Sequence, residues 1–181
     1  MCTLSQLIIY QNLVFSLPDP WNDGNTISYI FCCRSNFHNR GSWYDWVAVA
    51  NDNSTIKRDN ATDYKILQLM LIFKYIDFGR IKHHLTYVCY FKYQSIQKHD
   101  METGLWIVNR TESYEVIPIS RIVYTIHLIP LFNTQTNVTN DMYSFESYLL
   151  NWFSDRIAFK YLNWNESCTY TRVLYVFLPN I

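Results

Sequence analysis

The chain has 181 residues, of which 49% are hydrophobic and 18% aromatic. This is enough apolar material for one domain with a sizeable core, and it excludes an intrinsically disordered chain. Fifteen basic and fifteen acidic residues give a formal net charge of zero, which argues against a protein whose main task is to bind nucleic acid, because such proteins usually carry a basic excess.

The first 25 residues predict an N-terminal extension that is neither a signal peptide nor a membrane anchor. The stretch MCTLSQLIIYQNLVFSLPDP lacks a basic start, and Gln6, Gln11 and Asn12 interrupt its apolar run. No segment of the chain approaches eighteen uncharged apolar residues, so we expect no spanning segment and no membrane among the partners.

Short segments of β-branched and aromatic residues follow, separated by turn signals at the glycines. One segment, Tyr64–Ile76, is so apolar that periodicity alone also allows a helix. Its β-branched and aromatic end and the Asp-Phe-Gly turn after it favour a strand, with a bulge. The predicted strands are Thr26–Arg34, 45–50, Tyr64–Ile76, 85–93, 104–109, 113–119 and 121–131.

After Asn140 the periodicity changes to that of a helix. Apolar residues recur at spacings of three and four, and Asp141 or Ser144 is placed to cap the first turn. We therefore predict one amphipathic helix over residues 142–161, followed by a last strand or an extended tail in TRVLYVFLP. The apolar positions are Met142, Phe145, Leu149, Trp152, Phe153 and Ile157.

Six or seven short strands followed by one helix predict a mainly β fold, a small and strongly bent β-barrel with one C-terminal amphipathic helix. The predicted division is an N-terminal extension over 1–25, the barrel over 26–132, and a helical appendage with a C-terminal strand or tail over 133–181.

Sequence motifs for catalysis are missing. The four scattered glycines form no P-loop, no dinucleotide-binding fingerprint and no nucleophile elbow. Glu112 and Glu115 form a close carboxylate pair, and their spacing in a strand places them on opposite faces. We therefore expect a protein that is not an enzyme and needs no cofactor.

The five cysteines predict reduced thiols in a nuclear or cytoplasmic protein, because their number is odd and their spacing fits no disulfide framework. Adjacent Cys32 and Cys33 point to opposite faces of a strand, which suits neither a disulfide nor a shared metal. His38 adds a third ligand type but no fourth ligand lies nearby, so we expect no metal. The sequence leaves open whether its five glycosylation sequons are ever used; they are Asn53, Asn60, Asn109, Asn137 and Asn165.

Aromatic residues give one candidate binding surface, and two interpretations of it are open. The rings could build a cage for a methylated lysine or a stacking surface. Alternatively, Trp43 and Trp46 seal the barrel mouth while Asp45 anchors the turn made by Gly41. We favour the structural interpretation. The candidate surface comprises Trp43, Tyr44, Trp46, Tyr75, Tyr90 and Tyr93.

Basic residues give a second candidate surface. Between Lys65 and His99 the chain has six lysines and arginines against one acid, Asp77. These cations either keep the outer face of the strands soluble or form a weak strip for phosphate contacts. The candidate phosphate contacts are Lys74, Arg80, Lys82, Lys92 and Lys98.

The stretch CCRSNFHNRGSWYDWVAV resembles a segment near the end of large proteins encoded by DNA transposons of the KDZ, Plavaka and CACTA-like kind, in which WYDW follows a strand and a turn. LQLMLIFKYI, LTYVCYFKY and YEVIPISRIVYTIHLIPLF continue the resemblance in the same order, over about residues 30–132. The layout is also similar to a bromo-adjacent homology (BAH) barrel, through DWVAV and the Glu115-Val116 pair.

The resemblance implies a BAH-like barrel that serves as a non-catalytic accessory domain of a transposon-derived protein and makes protein or chromatin contacts in the nucleus. Two alternatives stay open. One is a weak DNA-contacting module without sequence preference, and the other is a secreted, glycosylated, lipocalin-like barrel that binds a small apolar ligand. The sequence identifies neither a particular partner nor an oligomeric state, and it leaves open whether the chain is a fragment of a larger protein.

Overall fold

A computed structural model describes residues 5–19, 24–34, 43–50, 64–94, 100–131, 145–151 and 174–178. Eleven β-strands and one 3-10 helix, Ile119–Arg121, make up the ordered structure of these residues, which confirms the prediction of a mainly β fold. None of their helical structure is long and apolar enough to cross a membrane. The strands are β1 (Gln6–Tyr10), β2 (Asn12–Pro18), β3 (Thr26–Arg34), β4 (Trp43–Tyr44), β5 (Trp46–Ala50), β6 (Tyr64–Ile76), β7 (Lys82–Tyr93), β8 (Trp106–Pro118), β9 (Ile122–Pro130), β10 (Ser147–Asn151) and β11 (Leu174–Leu178).

Six of the strands form a closed barrel in the order β6-β5-β9-β10-β8-β7, and pairing of β7 with β6 closes it. Every neighbouring pair is antiparallel. Closure gives each barrel strand a hydrogen-bonding partner on both sides and so removes the exposed edges that an open sheet would have.

The three longest strands, β6, β7 and β8, extend past the barrel. β1 pairs with the last five residues of β6 there, on the edge that β5 occupies inside the barrel. We call this four-stranded projection of β1, β6, β7 and β8 the open sheet. The pairing register shifts between Leu69 and Leu71 and again between Cys89 and Phe91, where the strands leave the barrel. The first shift confirms the bulge predicted in β6, and such irregularities bend and twist a strand.

A second sheet, in the order β11-β2-β3-β4, covers the outer face of β5 and β6. Its inward side chains Leu13, Phe15 and Phe31 are at most 1% exposed and share one core cluster with Val47 and Leu67. β6 is therefore buried on both faces along much of its length, which explains why its sequence is almost continuously apolar.

Aromatic side chains fill the barrel interior. The Tyr148 ring of β10 contacts both Trp46 and Phe91, with ring centroids 6.0 and 5.5 Å apart. Tyr64 and Tyr124 meet edge to face at 5.1 Å. The described part of the interior is thus a packed core.

The predicted C-terminal helix over 142–161 is not supported. Within that range Ser147–Asn151 is a strand, β10, which pairs with β8 on one side and β9 on the other. Residues 152–161 lie outside the described part of the chain. The spacing of Phe145 and Leu149 is also that of a helix. The backbone N–H and C=O groups of Ser147–Asn151 are instead hydrogen-bonded to the strands on both sides. The expected last strand in TRVLYVFLP is confirmed as β11.

The predicted strands Thr26–Arg34 and Tyr64–Ile76 match β3 and β6 residue for residue. Segments 104–109 and 113–119, expected as two strands, form the single strand β8. β1 and β2 come from the predicted N-terminal extension and β10 from the predicted appendage, yet all three pair within the two sheets. The division at residues 25 and 132 therefore does not separate structural units.

Candidate interaction surface

Asp45 joins the two sheets at the step from β4 to β5. Its carboxylate accepts the backbone N–H of Cys32 at 2.6 Å and the Trp43 Nε1–H at 2.9 Å. Its own N–H donates to the Cys32 carbonyl at 3.1 Å, and its carbonyl accepts the Leu69 N–H at 2.8 Å. Asp45 thus accepts backbone hydrogen bonds, as predicted, and their donors lie on β3 and β6. The turn that Asp45 was predicted to anchor stays untested. Gly41 lies outside the described residues.

Burial raises the pKa of the Asp45 carboxyl above its ordinary value, against the lowering effect of the hydrogen bonds from Cys32 and Trp43. Burial also raises the pKa of the Cys33 thiol, with a further contribution from the nearby Asp45 carboxylate. The Cys33 S–H donates to the Leu69 carbonyl at 3.4 Å. Cys33 is therefore a protonated, packed thiol, and it lacks the low pKa and exposure of a reactive cysteine.

The two tryptophans of the WYDW motif occupy different environments. Trp46 is 6% exposed and lies inside the barrel, as predicted. Trp43 is 42% exposed and lies on the second sheet, so the prediction that it also seals the barrel mouth is wrong. The reason is the bond to Asp45, which holds the indole beside the sheet junction and outside the barrel. Tyr44 between them is half-buried and pairs with Cys33 across β3 and β4.

The remaining candidate aromatic residues lie apart from the WYDW segment. Tyr75 is on the open sheet, where its ring stacks on His83. Tyr90 lies on the outer face, under the ammonium group of Lys65, and donates to Glu115. Tyr93 packs edge to face against Trp106, and burial raises the pKa of its hydroxyl. The structure therefore does not assemble the six aromatic residues into one cage.

The candidate phosphate contacts fall into two groups. Lys74, Arg80 and Lys82 lie together around the turn that joins β6 to β7. Lys92 is exposed near the other end of β7, where it pairs with Asn109. Lys98 lies outside the described residues.

An exposed apolar surface lies on the open sheet, on the face that continues the barrel interior. Alternate residues of a strand share a face. Leu85 and Tyr87 are therefore on the same face of β7 as Phe91, which contacts Tyr148 inside the barrel. We call this surface the open face; it comprises the exposed Leu7, Ile9, Tyr87, Tyr114 and Val116, the half-buried Tyr75 and Leu85, and the buried Phe73.

Cross-strand pairing makes the open face continuous. Ile9 pairs with Phe73, and Tyr87 pairs with Val116. The ring of Tyr87 stacks on that of Tyr114, with centroids 5.6 Å apart and planes 16° apart. Ile9 and Val116 are each 48% exposed, so β1, β7 and β8 present apolar and aromatic side chains to solvent, while Phe73 of β6 is buried between them in the pairing order.

The described residues offer little for catalysis or metal binding. No group of three His, Cys, Asp or Glu side chains among them is placed to hold a metal ion. The predicted carboxylate pair Glu112 and Glu115 is exposed at both positions, and Glu115 is engaged by Tyr90.

No protein-family model, no curated protein and no solved structure matches this chain. The resemblance to transposon-encoded proteins and to BAH barrels accordingly stays a prediction based on the motifs themselves.

Sequence reasoning missed most of the open face. Only Tyr75 of this surface is among the sequence-based candidates, because these are the tryptophans and tyrosines of WYDW and of the following long strands. A usable signal was present in QLIIY and in SYEVIP, where apolar residues occur beside turns with few charges. The sequence does not show that these two segments contribute to one surface, because that depends on the pairing of β1 with β6.

Proposed function

We propose that the chain is a non-catalytic interaction domain that binds a protein partner through the open face. The observation that carries the proposal is the clustering of exposed apolar residues. Five of the eleven exposed large apolar side chains among the described residues lie on the open face: Leu7, Ile9, Tyr87, Tyr114 and Val116. Soluble monomers seldom expose contiguous apolar area of this kind outside an interaction site.

The composition of the open face suits a protein partner. Its centre is aromatic, with the stacked Tyr87 and Tyr114 rings, and tyrosine is enriched among residues that dominate binding energy. The side chains stand on paired strands, so little conformational freedom is lost when a partner covers them. Lys74 and Lys82 lie on the opposite face of the sheet, whereas His83 stacks on Tyr75 and Arg110 lies near Tyr114.

The proposed biological setting follows from the WYDW resemblance. We propose a BAH-like accessory domain of a transposon-derived protein, acting in the nucleus or cytoplasm through protein or chromatin contacts. The packed barrel interior argues against the lipocalin-like alternative, because Trp46, Phe91 and Tyr148 occupy the space that a small ligand would need. The separation of Lys92 from the other cations argues against one continuous strip for DNA.

A test compares two variants with the same chemical change at different places. Val116→Lys introduces a charge into the open face, and Ile30→Lys does so on the second sheet, where Ile30 is 60% exposed. The tagged chain is used to isolate partners from nuclear and cytoplasmic extracts, and each purified partner is then titrated with each variant. We expect Val116→Lys to weaken binding at least about ten-fold, as for a central interface residue, and Ile30→Lys to leave it within about two-fold. Equal effects of the two variants on every partner would contradict the proposal.

A further inference from the structure

The β6–β7 turn, Asp77–Ile81, carries two exposed apolar side chains at the far end of the open sheet. We call this turn the hairpin tip. Phe78 is 67% exposed and Ile81 is 60% exposed. Asp77 fixes the turn, because its carboxylate accepts the Ile81 N–H at 2.9 Å and its carbonyl accepts the Arg80 N–H at 3.0 Å. The two apolar side chains thus project from a hydrogen-bonded frame.

Cations surround the hairpin tip. Lys82 pairs with Ile76, and Lys74 pairs with His84, on the face opposite the open face. Both lysines are close enough to His84 to help hold its pKa below the ordinary value, after the larger effect of burial. Asp77 is the only acid between residues 64 and 94, and its carboxylate is already bonded within the turn.

Arg80 supplies the third cation from an unusual backbone position. Its φ is 64°, in the left-handed region that favours glycine. An arginine at such a position keeps a long cationic side chain on the turn itself, between Phe78 and Ile81.

We propose that the hairpin tip docks on an anionic membrane surface. Phe78 and Ile81 enter the boundary between headgroups and acyl chains, while Arg80, Lys74 and Lys82 contact lipid phosphates. Apolar side chains bordered by cations are the combination that binds in the interface plane, and a leaflet rich in anionic lipid attracts each nearby cation. The apolar stems of arginine and lysine remain in contact with lipid while their charged groups reach the phosphates.

The combination of charge and apolar exposure favours a membrane over the other polyanion, nucleic acid. A duplex neutralises the cations but offers no apolar phase for Phe78 and Ile81. A spanning segment is not required, so the proposal departs from the expectation of no membrane partner, which concerned spanning segments alone. The hairpin tip is also separate from the open face, and the two proposals stand independently.

The test measures partition of the full chain onto vesicles of pure phosphatidylcholine and onto vesicles that also contain phosphatidylserine. We expect binding to the anionic vesicles that weakens as salt is raised. The double change Phe78→Glu with Ile81→Glu should lower the partition constant at least about ten-fold. Lys82→Glu should lower it about five-fold or more, since each cation near an anionic surface contributes about 1 kcal/mol. Ile30→Glu, an equally exposed site on the second sheet, is the matched control and should bind as the native chain does.

Three results would overturn the proposal. One is no binding to anionic vesicles at low salt by a folded chain. Another is equal loss of binding with Ile30→Glu. The third is tight binding to duplex DNA that Lys82→Glu abolishes and the Phe78 and Ile81 changes leave intact, because the cations would then serve nucleic acid.

Discussion

Asp45 and Cys32 hold each other by two hydrogen bonds. The Asp45 carboxylate accepts the Cys32 N–H at 2.6 Å, and the Asp45 N–H donates to the Cys32 carbonyl at 3.1 Å. Cys32 belongs to the second sheet and Asp45 leads into the barrel, so this pair fastens one sheet to the other. Asp45→Ala should therefore destabilise the fold by about 1–3 kcal/mol, because the part-buried Cys32 N–H loses its acceptor. Urea unfolding of the two proteins measures the difference, and a change below about 0.5 kcal/mol would show that the two sheets are fastened elsewhere.

The raised pKa of Asp45 sets the sign of a pH effect. Since the folded-state pKa lies above the unfolded value, the folded chain binds the proton more tightly, and ionisation of Asp45 removes stability as pH rises between the two pKa values. The advantage of the native chain over Asp45→Asn should thus be larger at pH 4 than at pH 7. Unfolding free energies of both proteins at several pH values decide this. An advantage that grows towards neutral pH would mean that the carboxylate is stabilised as the anion.

Trp46 and Trp43 should differ strongly in their contribution to stability. Trp46→Ala removes a ring from the packed barrel and should cost about 3–5 kcal/mol. Trp43→Ala, at a side chain 42% exposed, loses mainly its hydrogen bond to Asp45 and should cost about 1–2 kcal/mol. Denaturant unfolding followed by circular dichroism gives both values. Similar costs for the two changes would contradict the assignment of Trp46 alone to the barrel interior.

Gln68 offers a stabilising substitution. It is 1% exposed, next to Trp46 across β5 and β6, and neither atom of its amide bonds to any described residue. Gln68→Met keeps the length of the side chain and removes the desolvated amide, so it should raise the free energy of unfolding by about 1–3 kcal/mol. The surface change Gln6→Met serves as the control and should be neutral. A destabilised Gln68→Met would indicate that the amide is hydrogen-bonded in solution.

DNA binding should be weak. If Lys74, Arg80 and Lys82 all reached phosphates, the affinity would fall with salt at a log–log slope of about −2.7, or 0.9 for each contact. With zero net charge, we expect binding no tighter than about 10⁻⁵ M near physiological salt and no sequence preference. Titration of a labelled duplex at two salt concentrations tests this. Submicromolar binding lost in a Lys82→Glu, Lys92→Glu variant would replace the interaction-domain proposal with a DNA-binding one.

The strands were predictable where side-chain chemistry and burial agree. Tyr64–Ile76 is buried on two faces along much of its length, which explains its continuous apolar sequence. The β-branched residues at its end then favour a strand over a helix. The prediction of a helix after Asn140 is not supported. The i, i+4 spacing of Phe145 and Leu149 does not show that β8 and β9 each have a free edge with which this segment can pair. Local periodicity carries no information about β8 and β9, which lie 38 and 18 residues away in the Ser147–Asn109 and Tyr148–Pro130 pairs.

The candidate site was less predictable than the fold, for a related reason. Exposure of Leu7 or Val116 depends on which strand lies beside it and on where the barrel stops covering its own inner face. Trp43 and Trp46 are three residues apart in one motif. Trp43 is exposed and Trp46 is buried, because the chain passes from the second sheet to the barrel at Asp45 between them. Sequence composition indicates a candidate aromatic surface, but only the strand topology shows which aromatic residues are in the core and which are exposed.

The position of β10 determines the order in which the barrel can be completed. Among the described residues β10 is the last barrel strand, and it pairs with both β8 and β9, which precede it in the chain. A nascent chain that has emerged only to residue 131 therefore holds two unsatisfied strand edges, and these are sites for mispairing with other chains. Because closure requires contacts distant in sequence, it should be a slow step of folding. A delay before Ser147–Asn151 pairs should therefore lengthen the time for which β8 and β9 can mispair with other chains.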